Sequence, residues 1–327
     1  MIDMIERLGI KLPIWSAGMG GGVAGPALVA AVSDAGGFGV LGAGAVPGDL
    51  VTSLIAGTRE LVPRPFGANI IMPMSDGSDI EACFEARVPV LVLFWGDPQP
   101  FVGDAHKRDM FVVSQVGSAE EAVAAADAGV DAVIVQGTEA GGHVKALEPL
   151  KVTLSQTVSA LGPVPVIAAG GIATGADIAG ALELGARAVS MGTRFVASEE
   201  GFALGEYKDR IVKAVAADTV LTKLFDLGWP DANHRVIRNK TYDEWEKAGE
   251  PTPGDRPGEN DAIGTVMLGE QKIPLPRYTV IPPMEGFEGD LDAVPLYAGE
   301  SVERIDRILP VAEIVQQLMD ELRSATR

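Results

Sequence analysis

Residues 131–143 read DAVIVQGTEAGGH, and the two halves of that stretch do different things. Residues 132–135 are a short apolar, β-branched run, which predicts a buried strand. The chain then leaves the strand through Gly137, Gly141 and Gly142 and ends on His143. Glycine permits positive φ and lets backbone N–H groups come close to a ligand. Histidine carries a mobile proton near neutral pH. A strand, a glycine loop and a titratable side chain together suit the edge of an active site. The plainer alternative is a glycine-rich turn with a solvated histidine.

Working outward, the same unit recurs. Residues 126–135 (ADAGVDAVIV) and 182–191 (LELGARAVSM) share the order helix end, glycine, short turn, strand, and 33–41 (SDAGGFGVL) repeats it loosely. Strands are expected at 13–16, 38–41, 66–70, 89–94, 111–114, 132–135, 165–168 and 188–191. Helices are expected between them at 26–35, 49–58, 79–86, 98–106, 119–128, 152–161 and 175–184. Eight strands alternating with helices at short spacing predict an α/β fold with a parallel sheet, closed as a (β/α)8 TIM barrel. Residues 206–227 read as one amphipathic helix. Residues 247–261 (KAGEPTPGDRPGEND) are polar and rich in Pro and Gly, hence a loop or mobile excursion. Residues 301–322 return to helical periodicity. The expected division is a barrel of residues 1–199 plus 291–327, with 200–290 as a smaller inserted substrate-covering domain.

Composition narrows the function. The 327 residues include 45 acidic and 26 basic side chains, a net charge of −19. Nucleic acid is an unsuitable partner, since phosphate backbones need Lys and Arg clusters. A single small phosphate remains compatible, because a few N–H donors can hold one. The one cysteine, Cys83, allows no internal disulfide and suits a reducing cytosol. No apolar run of membrane-spanning length and no leader pattern is expected. No H-E-x-x-H or paired C-x-x-C spacing points to a metal. The sequence leaves a homodimer open.

In a (β/α)8 barrel the chemistry lies at the C-terminal ends of the strands. That rule gathers Ala17, Gly18 and Met19 after the first strand, Asn69 at the end of the third and Gln115 at the end of the fifth. Gln136, Gly141, Gly142 and His143 follow the sixth. Ala169, Gly170 and Gly171 follow the seventh, and Gly192 and Thr193 the eighth. The last two loops are the usual phosphate seat, which suits a phosphate monoester such as the tail of FMN. The amides of Asn69, Gln115 and Gln136 offer donors and acceptors for a flavin edge or its ribityl hydroxyls. His106 and His234 read as surface or structural, with His234 placed in the insertion where it could face substrate, and Glu139 reads as a solvated carboxylate.

Four motifs then occur in order: GMGGG (18–22), QGTEAGGH (136–143), AAGGI (168–172) and MGTRF (191–195), with YAGES at 297–301. Together they resemble the nitronate monooxygenase family, formerly called 2-nitropropane dioxygenases. The resemblance implies an FMN-dependent barrel that oxidises alkyl nitronates with O2 to carbonyl compounds and nitrite. It implies His143 as the catalytic residue and the glycine loops, Gln115, Gln136 and Thr193 as FMN contacts. Gln115 stands where some members carry lysine. The AGGH loop also resembles FMN-dependent enoyl-ACP reductases, so an NAD(P)H-dependent reductase is the second reading. A non-catalytic flavin-binding subunit is the third.

Overall fold

The structure, a computed structural model, describes residues 4–268 and 271–326. Eight strands form one parallel sheet: β1 (Ile14–Ser16), β2 (Val40–Gly42), β3 (Gly67–Ile71), β4 (Val90–Phe94), β5 (Phe111–Val116), β6 (Ala132–Gln136), and, beyond a two-residue strand β7 (Gly142–His143), β8 (Val166–Ala169) and β9 (Ala188–Met191). The strand order is β1-β9-β8-β6-β5-β4-β3-β2. The two ends meet through a parallel bridge from Trp15 to Phe38, where Ser16 N–H donates to the Phe38 carbonyl and Phe38 N–H to that of Ile14. The sheet is therefore a closed barrel, and every sequence-expected strand falls on one of its staves.

Side chains alternate along each strand, so odd and even positions separate into two layers. Trp15, Phe38, Val90, Val92, Phe111, Val113, Ile134, Ile167 and Ala188 fill the interior. Leu41, Leu91, Leu93, Val112, Val133, Ala168 and Val189 face outward, where they pack under the surrounding helices. The short helix Met4–Arg7 plugs the lower end, with Met4, Leu8 and Ile10 against the interior cluster and Arg7 paired to Asp131 at 2.7 Å. The same period carries Gly42, Asn69, Gln115, Gln136, Ala169 and Ser190 to the interior face at the upper end.

Between β9 and the closing helix Val311–Ala325 the chain builds two small antiparallel sheets. One contains β10 (Thr219–Thr222), β11 (His234–Ile237) and β7; the other contains β12 (Ala262–Leu268), β13 (Gln271–Pro276) and β14 (Glu288–Gly289). The expected single helix over 206–227 is corrected here. The helix is Gly205–Lys213, with Ala214 extended at its end, and residues 219–222 become β10. Thr219–Thr222 is β-branched at three of four positions and finds a partner in β11, so cross-strand pairing outweighs helical periodicity. The expected helix over 301–322 likewise begins only at Val311, after Pro310; the residue before a proline is disfavoured in helical conformation.

Candidate functional site

The upper rim brings the predicted residues together in pairs. A side chain built on Gly18 would lie within 2.3 Å of Asn69 Cβ, so the loop after β1 passes directly over the end of β3. At Gly192 a Cβ would be 3.7 Å from Met19 Sδ and 3.8 Å from Ala17 Cβ. At Gly170, with φ +116°, it would approach Ala140 N at 3.2 Å and Gly137 N at 3.3 Å. Gly141 packs against Ala298 and Gly299, and the Thr193 hydroxyl accepts the Gly299 N–H at 3.0 Å. The YAGES segment thus binds the loop after β6 to the loop after β9.

The amides divide in role. Gln136 is tied to the protein on both sides: Nε2 donates to the His143 carbonyl at 2.9 Å and Oε1 accepts the Lys145 N–H at 3.0 Å. It holds the histidine loop in shape and keeps one N–H and one carbonyl lone pair free. Asn69 donates to the Val92 carbonyl at 3.3 Å. Gln115 lines an open cleft of about 620 Å³ with Gly96, Asp97, Glu121 and Lys145. Lys145 is ion-paired to Glu121 at 2.8 Å, so a cation stands near Gln115 although residue 115 itself is neutral. Glu139 is not simply solvated; its Oε2 accepts the Leu150 N–H at 2.8 Å and anchors the start of the helix Leu150–Leu161.

The phosphate seat meets a physical test. Among the described residues the N–H groups of Gly170, Gly171, Gly192 and Thr193 donate to no protein acceptor. Positive φ at Gly170 and Gly171 turns the loop after β8 as only glycine does comfortably. Arg304 donates to the Gly171 carbonyl and to Asp177, fixing that loop from outside. Unpaired N–H donors on two adjacent loops fit a phosphate monoester.

His143 sits in β7, paired residue for residue with His234 of β11, and Val144 N–H donates to the Asn233 carbonyl at 2.7 Å. Arg235 forks onto the Thr138 carbonyl through Nε (3.0 Å) and Nη2 (2.8 Å), and reaches Glu300 at 3.1 Å. The imidazole of His143 stacks on Trp229, centroids 4.0 Å apart and planes 21° apart. Tyr297 and His234 flank it at 5.6 and 5.3 Å. Among the described residues its buried Nε2 has no hydrogen-bond partner. Burial, and secondarily the nearby His234, push its pKa down to about 3. His234 is structural, as expected: Nδ1 donates to the Ala232 carbonyl and Nε2 accepts the Phe225 N–H. Trp229 and Arg235 were not legible as site residues, because their segments carry no motif of their own and the cue was only that residues 200–290 had to cover something; Tyr297 opens the YAGES motif, but nothing in the sequence placed it beside His143.

A closed barrel whose upper rim carries glycine loops, four loop N–H groups without a protein acceptor among the described residues and the buried imidazole of His143 is the architecture of the (β/α)8-barrel enzymes. The chain belongs to the nitronate monooxygenase family, whose model, described as "Nitronate monooxygenase", matches residues 2–321. It is 27% identical over 365 residues to a probable nitronate monooxygenase of Staphylococcus aureus, covering 98% of this chain and 96% of that one. It is 34% identical over 248 residues to a (3aS,4S,5R,7aS)-5-hydroxy-7a-methyl-1-oxo-octahydro-1H-indene-4-carboxyl-CoA dehydrogenase of Rhodococcus jostii, covering 75% of this chain and 68% of that one. Among solved structures, FabK of Thermotoga maritima superposes with a TM-score of 0.83 at 33% identity, covering 98% of this chain and 96% of that one. A nitroalkane oxidase of Streptomyces ansochromogenes superposes with a TM-score of 0.78 at 27% identity, covering 97% of each. The protein is accordingly a flavin-dependent oxidoreductase of the nitronate monooxygenase type.

Proposed function

We propose that the protein is an FMN-dependent nitronate monooxygenase. The observation that carries this reading is the buried, unpartnered Nε2 of His143 at the rim. An orphaned buried polar atom costs stability unless a ligand takes it up. An alkyl nitronate matches the chemistry around His143: a charged nitro-type oxygen for the imidazole and an apolar body for the aromatic rings beside it. Bound FMN would supply the redox chemistry, accepting the substrate's electrons and passing them to O2. Its phosphate would take the N–H groups of residues 170, 171, 192 and 193. Ala17, Gly18, Met19, Asn69, Gln115, Gly141, Gly142 and Ala169 would form its bed, while Gln136 would act through the loop it holds.

The lowered pKa bears on the role of His143. A base that weak has little driving force to take a carbon-bound proton from a neutral nitroalkane. A preformed nitronate has already lost that proton. His143 would orient it, and the anion's charge beside the imidazole would raise the imidazole pKa toward a hydrogen-bonded ion pair. In this scheme residues 200–290 cover the barrel of 1–199 and 291–327, and strand β11 sets the position of the histidine. No helix of the described residues is long and apolar enough to cross a membrane; a cytosolic site of action suits this reading.

The FabK likeness gives the second reading its support, a reductase drawing electrons from NAD(P)H. The deciding measurement is anaerobic bleaching of the purified yellow protein. An alkyl nitronate should reduce the flavin faster than NADH or NADPH, and readmitted oxygen should restore the colour with release of nitrite. Rapid bleaching by a nicotinamide alone would transfer the protein to the reductases. A colourless protein that does not take up FMN would remove both.

A further inference from the structure

Close to His143 Nε2, the polar side chains of His234 and Tyr297 are already engaged. His234 uses both ring nitrogens within the protein, and the Tyr297 hydroxyl donates to the Val280 carbonyl at 2.9 Å. The face of the imidazole is covered by the indole of Trp229. That indole is itself boxed edge-on, by Trp95 at 5.1 Å and Phe94 at 6.4 Å. Trp229 stands on the segment between β10 and β11, directly after Gly228, whose φ of +110° marks a turn. Leu227, one residue earlier, is 48% exposed, so this part of the chain lies at the surface. A substrate whose apolar body stacks on that face of His143 needs the space that the indole fills.

We propose that Trp229 is a specificity-determining plug: it occupies the substrate pocket of the free enzyme and yields its place, stacked on His143, to the apolar body of the substrate. The substrate class is then a small molecule with one polar or anionic head, taken up by Nε2, and an apolar portion no larger than the indole it replaces. The inference rests on His143 marking the reacting site, and not on which compound supplies the electrons. A plug of this kind keeps the imidazole dry between turnovers and rejects substrates whose bulk exceeds the vacated volume. An aromatic stack suits the role, since an apolar ligand of similar shape replaces its contacts.

The test uses the flavin-loaded enzyme and Trp229→Ala, with Trp229→Phe as the conservative variant. Diethyl pyrocarbonate acylates neutral imidazole, and mass spectrometry reads each histidine separately. His106, whose side chain is 40% exposed beside Asp131, is the internal reference. In the wild type His143 should react far more slowly than His106. In Trp229→Ala it should react about tenfold faster or more, as expected when a covering group no longer has to open. Added indole should restore the protection, and Trp229→Phe should resemble wild type. Across a series of n-alkyl nitronates the alanine variant should shift its kcat/KM preference toward longer chains. Unchanged acylation of His143 in a folded, flavin-loaded Trp229→Ala enzyme would overturn the proposal, as would an unchanged chain-length preference. Should the alanine variant not fold, Trp229→Leu carries the same two readouts. If the wild type oxidises no nitronate, the reaction assignment fails, and the acylation and indole measurements still decide the plug.

Discussion

His143 illustrates how much a single residue's setting decides. Its imidazole faces Trp229, the phenol of Tyr297, which burial pushes upward in pKa, and His234, which burial pushes down to about 4. None of these is charged near neutral pH, so nothing there offsets the desolvation that takes His143 to about 3. If it serves as a base it must be deprotonated, so activity holds above the folded pKa and falls as pH drops through it. Turnover of a neutral nitroalkane should therefore stay level down to about pH 5. An acid limb near the ordinary histidine value of 6.5 would instead mean a hydrated imidazole in the working enzyme. Since so weak a base leaves the orienting role, His143→Ala should lower nitronate turnover by roughly tenfold or more, the worth of one hydrogen bond to a charged group, change turnover of a neutral nitroalkane less, and leave flavin content unchanged. Gly192 offers a clean probe of the phosphate seat. Gly171 does not, because its φ of +66° strains any side chain. A methyl at Gly192 meets Met19 and Ala17 at ordinary contact distances, so Gly192→Ala should fold normally. It should weaken FMN binding by roughly tenfold or more, the cost of a misplaced methyl group in a fitted site. Fluorescence titration of the apoprotein, alongside its melting temperature, checks both halves. An unchanged Kd would place the phosphate elsewhere.

Among the elements, residues 247–261 behave differently from their composition. Beyond Lys247, which ends the helix Lys240–Lys247, they are irregular, as expected, but they are fastened. Arg256 is 9% exposed, paired to Asp226 and Glu259 at 2.7 Å each, and lies over the Tyr278 ring at 4.2 Å. The Pro257 carbonyl accepts the Tyr278 hydroxyl at 2.7 Å. Asp226 stands three residues before Trp229, so the excursion and the pocket cover share a support. Limited proteolysis should cut 247–261 slowly in the wild type and about tenfold faster in Arg256→Ala, because removing one partner of a buried pair leaves the other unpaired. The cut protein should show altered substrate KM with FMN retained. Turnover of every substrate at wild-type values after cleavage would reduce the segment to a surface excursion.

At the scale of the whole molecule, the acidic balance of 45 to 26 is compatible with the proposed phosphate seat, because that seat would be made of backbone. Four N–H groups on two neighbouring loops carry no formal charge and need no lysine cluster. Barrel closure supplies what a linear chain lacks. β1 and β9 become neighbours, so the loops bearing Met19 and Gly192 meet, and β6 beside β8 brings Ala140 against Gly170. The segment 297–301 then locks the two halves of the rim, through Gly299 to Thr193 and through packing on Gly141.

What the sequence by itself determined was periodic or glycine-marked. Each barrel strand is an apolar run of three to six residues between turn signals, and burial on both faces leaves such runs readable without any partner. The period of two places Asn69, Gln115 and Gln136 on the inner face, and the glycine motifs mark the loops that must turn tightly. Tertiary structure decided everything that depended on a partner distant in the chain. Residues 219–222 became a strand because β11 lies beside them, although their local pattern continued a helix. Gln136 proved to hold a loop because the His143 carbonyl and Lys145 N–H fold back onto it. Trp229 and Arg235 joined the site because β11 pairs with β7 across about 90 residues of sequence. The lowered pKa of His143 exists only after that pairing buries it, since desolvation belongs to the surroundings and not to the residue.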